Sequence, residues 1–230
     1  MSVRAAHLIA DEVRRDRRLV IGAATGSTPT RAYELLAEMA AGDSSVFADL
    51  RLLKVDEWGG LPLDDPATCE VYLQHKLVRP LSISRERYLG WDSQPRNPDA
   101  ECRRVERWLC EHGPIGVCVL GLGANGHLAF NEPADVLHPG PHAARLSRES
   151  LRHPMLGLSR ATPAYGLTIG MADILRSRQI LLLVSGAHKS TQLARLREPI
   201  VSTHFPASFL WLHPDVTILC DREATKEKAS

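Results

Sequence analysis

Gly121-Leu122-Gly123-Ala124-Asn125-Gly126-His127-Leu128-Ala129-Phe130-Asn131-Glu132-Pro133 follows directly on an apolar run at residues 115–120. The run is bounded by Pro114 and Gly121 and reads as a buried strand. Three glycines within six positions then let the backbone turn tightly and pass close to a ligand. Asn125, His127 and Glu132 follow within eight residues. A histidine moves protons near neutral pH, and a carboxylate five positions on can orient or recharge it.

The same succession recurs along the chain. Residues 19–23 read as a buried strand and run into Ala24-Thr25-Gly26-Ser27-Thr28-Pro29. Ser27 or Thr28 suits the N-cap of the next helix, with Pro29 at its first position. A glycine-hydroxyl loop opening a helix offers free N–H groups and a favourable dipole to an anion. No Gly-Lys-Ser/Thr follows, so the loop is not of the kind that holds a nucleoside triphosphate. A strand over residues 50–55 ends at Asp56-Glu57-Trp58-Gly59-Gly60-Leu61-Pro62. Its adjacent carboxylates point to opposite sides if the strand persists, so at most one faces a given site. Residues 179–184 form another apolar strand, followed by Ser185-Gly186-Ala187-His188-Lys189 and a helix over 187–197. Lys189 in that first turn works against the helix dipole, a mismatch that a bound anion offsets.

Helices are predicted over residues 3–16, 68–78, from Asp99 as cap through Leu109, over 171–176 and 206–213, and a terminal helix or tail over 222–228. Strand-like runs lie at 165–170 and 216–220. At least five short apolar strands alternating with helices predict an α/β fold. Its class is a doubly wound, mostly parallel, Rossmann-like sheet, in one domain over residues 1–230. The polar loops 24–29, 56–62, 121–133 and 185–189 all follow the C-terminal end of a strand, and in a parallel sheet those ends share the edge where ligands bind. Residues 134–164 are proline-broken and cationic, with His138, His142, His153, Arg145, Arg148, Arg152 and Arg160, and read as a lid over an anionic substrate. The spacing of those histidines matches no zinc site.

With 44% hydrophobic and 24% charged residues and a net charge of +1, the composition is that of a soluble globular protein. Bulk charge does not support nucleic-acid binding, and no apolar run reaches membrane-spanning length. The N-terminus lacks the apolar core of a signal peptide. Five cysteines without a Cys-x-x-Cys pair read as reduced thiols of a cytoplasmic protein. Arg14, Arg15, Arg17 and Arg18 read as a solvated helix end.

Residues 121–133 resemble the signature of the glucosamine-6-phosphate deaminase/isomerase family, as do Thr25-Gly26-Ser27-Thr28-Pro29 and Asp56-Glu57-Trp58 with Leu61-Pro62. The likeness spans nearly the whole chain. Residues 61–70, 120–128 and 201–213 look most like the galactosamine-6-phosphate branch. The resemblance implies conversion of an amino sugar phosphate to a ketose phosphate and ammonia, with no metal or organic cofactor. It implies that His127, supported by Glu132 and Asn125, opens the sugar ring and that Asp56 moves the C2 proton, Glu57 being structural. It places the phosphate on Thr25, Gly26, Ser27 and Thr28 with Lys189. The family's lid arginine does not align cleanly, and Arg152 and Arg160 both lie near its place. Asn125 stands where many glucosamine-branch members have aspartate; an amide orients His127 without raising its basicity by charge. The chain ends short of the extension of allosteric members, so no such regulation is expected. The implied partner is a small sugar phosphate, without nucleic acid or membrane, and a homo-oligomer stays open. Galactosamine 6-phosphate leads glucosamine 6-phosphate as substrate. The alternatives are a 6-phosphogluconolactonase-like hydrolase, against which Phe130-Asn131-Glu132-Pro133 weighs, and a non-catalytic sugar-phosphate sensor.

Overall fold

The computed structural model describes residues 1–226. Strands β1 (Val20–Ala23), β2 (Arg51–Lys54), β4 (Tyr88–Leu89), β5 (Val117–Gly121), β8 (Gln179–Val184) and β9 (Val216–Cys220) form one sheet in the order β4-β2-β1-β5-β8-β9. Every neighbouring pair in it is parallel. The chain builds outward from β1 on one side, then returns to add β5 on the other. That reversal opens a crevice beyond the carboxyl ends of β1 and β5.

Both faces of the sheet are covered, which the strands' near-continuous apolar sequence requires. Helices α1 (Ser2–Arg15) and α2 (Ser27–Gly42) pack on one face, against Ile21, Leu52, Val117, Val119, Leu181 and Leu183. The apolar residues of α1, Ala5, Ala6, Ile9, Ala10 and Val13, recur at helical spacing and are all buried. The alternate strand residues Leu53, Cys118, Leu120, Ile180 and Leu182 turn to the other face, with α4 (Pro98–His112), α5 (Met171–Leu175) and α6 (Ser190–Leu196).

A second, antiparallel sheet of β3 (Asp56–Gly59), β7 (Tyr165–Thr168) and β6 (His142–Ala144) departs from the expected pattern. The strand read over 50–55 ends at Lys54, and Asp56 begins β3, opposite Thr168. The run at 165–170 therefore pairs antiparallel to β3 instead of joining the parallel sheet. Residues 134–164 are not wholly irregular, since β6 pairs with β7 and single 3-10 turns follow at Ser150–Arg152 and Pro154–Leu158.

Several helix starts also differ from expectation. Gly26, not Ser27 or Thr28, is the N-cap of α2, and Pro29 is its third residue. A backbone φ of +102° at Gly26 makes the turn, and glycine adopts it without strain. Asn97 replaces Asp99 as the cap of α4, its side chain accepting from the N–H groups of Asp99 and Ala100 ahead of Pro98 at the first position. The helix over 68–78 is α3 (Cys69–Leu73), capped by Thr68 and continued by a π turn over Gln74–Val78. That over 187–197 opens with a 3-10 turn, Ala187–Lys189. Residues 206–212 form a 3-10 helix, and 222–225 form turns; the end of the expected tail, Lys228, lies outside the described residues. No helix among the described residues is long and apolar enough to cross a membrane.

Candidate active site

The loop after β1 presents the first turn of α2. The Gly26 carbonyl accepts hydrogen bonds from Thr30 Oγ1 and from the Tyr72 hydroxyl, each at 2.9 Å, and the Ala24 carbonyl accepts one from the buried Tyr33 hydroxyl at 2.8 Å. With these carbonyls engaged by helix side chains, the loop is fixed. The N–H groups of Ser27 and Thr28, in the first turn, have no helical acceptor and carry the positive end of the dipole. Thr25 Oγ1 lies 3.2 Å from the thiol of Cys69, at the start of α3.

That thiol also reaches Asp56, 3.8 Å away. Asp56 is buried, and its carboxyl is pushed up to about 7, by burial first and then by the charge of Glu57, against the opposing pull of Lys54 and Cys69. Glu57 faces the opposite way, as alternation requires. Its carboxylate takes Lys54 Nζ at 2.6 Å and the backbone N–H groups of Trp58, Cys69 and Glu70 at 2.8, 2.9 and 2.8 Å. The same Lys54 donates to Glu70 at 2.6 Å, and Glu70 also accepts from the Tyr88 hydroxyl at 2.7 Å.

The loop after β5 carries His127 folded over Gly123. A Cβ on Gly123 would lie 2.4–2.5 Å from the imidazole, so no larger residue fits there. His127 Nδ1 approaches Glu132 Oε2 and Ser150 Oγ, each at 3.4 Å, and Nε2 has no hydrogen-bond partner among the described residues. Asn125 holds the His127 backbone and Glu132, and makes no hydrogen bond to the ring among the described residues. Its Oδ1 accepts from the backbone N–H of His127 at 3.1 Å, and its Nδ2 donates to Glu132 at 2.8 Å. The residues between deliver Glu132 to this position. Phe130 packs on Trp58, ring centroids 4.5 Å apart. Asn131 Nδ2 donates to the carbonyls of Leu128 and Ile169, and the Phe130 N–H donates to Thr168 Oγ1. Burial works to raise the Glu132 carboxyl, but the hydrogen bond and charge of His127, with Ser150 and Asn125, hold it down at about 2.

Ser147 and Ser150 were not legible as site residues. Ser150 Oγ donates to Glu132 Oε1, and the Ser147 N–H donates to the same oxygen at 3.2 Å. Cys69 was likewise missed. None of the three belongs to a periodic pattern, and only the reading of 134–164 as a lid over an anionic substrate hinted at the serines.

Lys189 is half-buried, and burial lowers its ammonium below the usual lysine range. Among the described residues it forms no ion pair or side-chain hydrogen bond. Arg152 and Arg160 are both exposed and equally without such partners. The residue over the Gly26 turn is His153, whose Nε2 lies 3.7 Å from where a Gly26 Cβ would be. His138 and His142 stack on each other at 4.6 Å, and no group of three metal-binding side chains forms among the described residues.

The family profile described as Glucosamine-6-phosphate isomerases/6-phosphogluconolactonase matches residues 1–218. The chain belongs to that family. Within it, the chain is 38% identical to the candidate deaminase AgaI of Escherichia coli (strain K12), over 95% of this chain and 87% of that protein. It is 33% identical to glucosamine-6-phosphate deaminase 1 of Bacillus subtilis (strain 168), over 96% and 92%. The solved structure of a monomeric glucosamine-6-phosphate deaminase superposes with a TM-score of 0.90 at 33% identity, covering 97% of this chain and 93% of that one. The 6-phosphogluconolactonase of Leishmania guyanensis shares the fold, with a TM-score of 0.77 at 19% identity over 100% and 95%.

Proposed function

We propose that this family member is an amino sugar 6-phosphate isomerase/deaminase, with galactosamine 6-phosphate as substrate and tagatose 6-phosphate and ammonia as products. The observation that carries the reading is Asp56: a buried carboxyl poised near neutrality, joined through Cys69 to the loop that opens α2. A base that takes a proton from carbon and returns it must change protonation state easily in both directions.

The phosphate is held by the N–H groups and hydroxyls of Thr25, Gly26, Ser27 and Thr28, with Lys189 supplying charge. His127 moves a proton from the anomeric hydroxyl to the ring oxygen, and the C1 aldehyde forms as the ring opens. Glu132 supports the imidazolium that exists between those two transfers. Asp56 then removes the C2 proton, giving an enolamine, and returns it to C1, giving the ketimine. Water adds at C2, ammonia leaves, and the ketose phosphate remains. Binding energy from the remote phosphate positions the reacting carbons.

The galacto preference rests on the likeness of residues 61–70, 120–128 and 201–213 to the galactosamine branch, and on Asn125. Ammonia release from galactosamine 6-phosphate and from glucosamine 6-phosphate tests it, with Asp56→Asn as control. Release from the galacto epimer, lost in the variant, is expected. Preference for the gluco epimer would overturn the branch and keep the chemistry, whereas silence on both would sink the deaminase reading and turn attention to lactone hydrolysis.

A further inference from the structure

We infer that His153 is the substrate-contacting donor of the 134–164 segment: its Nε2–H completes the phosphate pocket that Gly26 and Lys189 open. The inference rests on the sugar-phosphate reading above and assigns to an imidazole the place where a lid arginine was expected.

Position comes first. His153 Nε2 and Cε1 lie 3.7 and 3.8 Å from the Cβ position of Gly26, so the ring borders the α2 turn where an anion would sit. Trp58 backs it, ring centroids 5.8 Å apart; the indole is 3% exposed, and its Nε1 has no hydrogen-bond partner among the described residues. Tautomer comes second. His153 Nδ1 accepts the Met155 N–H at 3.3 Å, so in the neutral ring the proton is on Nε2. A donor is therefore aimed away from the cap, beside the α2 turn.

The surrounding charge points the same way. Burial lowers the affinity of His153 for a proton, followed by the charges of His127, from the loop after β5, and Lys189, from the turn after β8. No carboxylate acts on the ring. His153 thus borders a helix N-terminus and feels the charge of Lys189 with no carboxylate acting on it, and an anion supplies the missing counter-charge. Arg152, on the same segment, and Arg160 are exposed and do not fill that need. In the free protein the ring is held toward its neutral form. With Nδ1 already accepting from Met155, the ring stays neutral on binding and meets the phosphate through its Nε2–H.

The competing role is purely structural, because His153 also caps the 3-10 turn Pro154–Leu158 through Nδ1. That role uses one nitrogen, and the two can be separated. Asparagine at 153 places an amide oxygen near the Nδ1 position and keeps the cap; glutamine places an amide nitrogen near Nε2. His153→Asn is expected to weaken inorganic phosphate binding about tenfold and to raise KM for galactosamine 6-phosphate similarly, with kcat within about threefold. His153→Gln is expected to restore most of the affinity. In the wild-type protein, titration with inorganic phosphate should move the His153 imidazole resonances, with the ring remaining in its Nε2–H tautomer. Wild-type phosphate affinity in His153→Asn, or imidazole resonances unmoved by phosphate, would overturn the inference. Ammonia release alongside an unmoved His153 would refute this inference and leave the deaminase. A shifted His153 in a protein that releases no ammonia would refute the deaminase and leave the anion contact.

Discussion

Asp56 and Glu57 are neighbours in sequence, both buried, and their surroundings are opposite in kind. Glu57 belongs to a closed set: Lys54 is fully buried between Glu57 and Glu70, every carboxylate oxygen has a donor, and despite burial the pairing raises the Lys54 ammonium above its ordinary range. Asp56 belongs to an open set, and its one donor among the described residues is a thiol at 3.8 Å. Buried charge costs several kcal/mol per ion unless it is paired. The closed set meets that cost with partners and fixes β2, β3 and α3 together. The open set leaves it unmet, which is tolerable where a ligand completes the pairing.

The largest effect expected from breaking this contrast is on turnover. Asp56→Asn should lower kcat for ammonia release by about a thousandfold or more, since the proposed mechanism makes this carboxylate the base at C2. The same variant should gain stability. The folded-state carboxyl titrates near 7 against an ordinary 3.8, so ionising it costs folding energy that grows as pH rises across that window. Relative to wild type, Asp56→Asn should become more stable between about pH 4 and 7, by on the order of 2–4 kcal/mol at the upper end. Urea titrations at several pH values measure this, and a flat difference would contradict the unpaired state of Asp56.

Lys54→Met should do the reverse, destabilising the fold by about 3–5 kcal/mol because Glu57 and Glu70 lose their shared cation. It should also move the acid limb of kcat/KM upward, since Lys54 pulls the Asp56 carboxyl down. Glu132→Gln should cost roughly a hundredfold in kcat. Wild-type Glu132, held at about 2, contributes stability that is present above its ordinary 4.5 and lost as pH falls toward 2. The glutamine variant should lack that slope in acid unfolding. Cys69→Ala should have the smallest effect, below tenfold in kcat/KM, with the acid limb displaced to higher pH because a donor to Asp56 is gone. A limb displaced downward would show that the thiol does not act on Asp56.

The parallel sheet was legible because its strands are short, apolar and separated by helical periodicity. The glycine loops were legible because their glycine, hydroxyl and titratable residues lie close together in sequence. What escaped had no local signal. Asp56-Glu57-Trp58-Gly59 carries no alternation of apolar and polar residues, yet it leaves the main sheet because β7 offers it an antiparallel partner far along the chain. Ser27 and Thr28 have better capping side chains than Gly26, but the turn requires a positive φ, and the glycine decides the helix start. His153 reads in sequence as one of several histidines in a proline-rich stretch. Only the folded chain shows which of its nitrogens is occupied.

Asp56 and the His127–Glu132 pair are far apart in the chain, yet both are tied to Thr168, the last residue of β7, and to Ile169 after it. Asp56 stands opposite Thr168, the Thr168 hydroxyl receives the Phe130 N–H, and the Ile169 carbonyl receives Asn131 just ahead of Glu132. The gap a substrate must bridge is thus written on a strand that does no chemistry itself. A methyl-for-hydroxyl exchange at Thr168 removes the acceptor of the Phe130 N–H and is expected to disturb both carboxylates' placement at once.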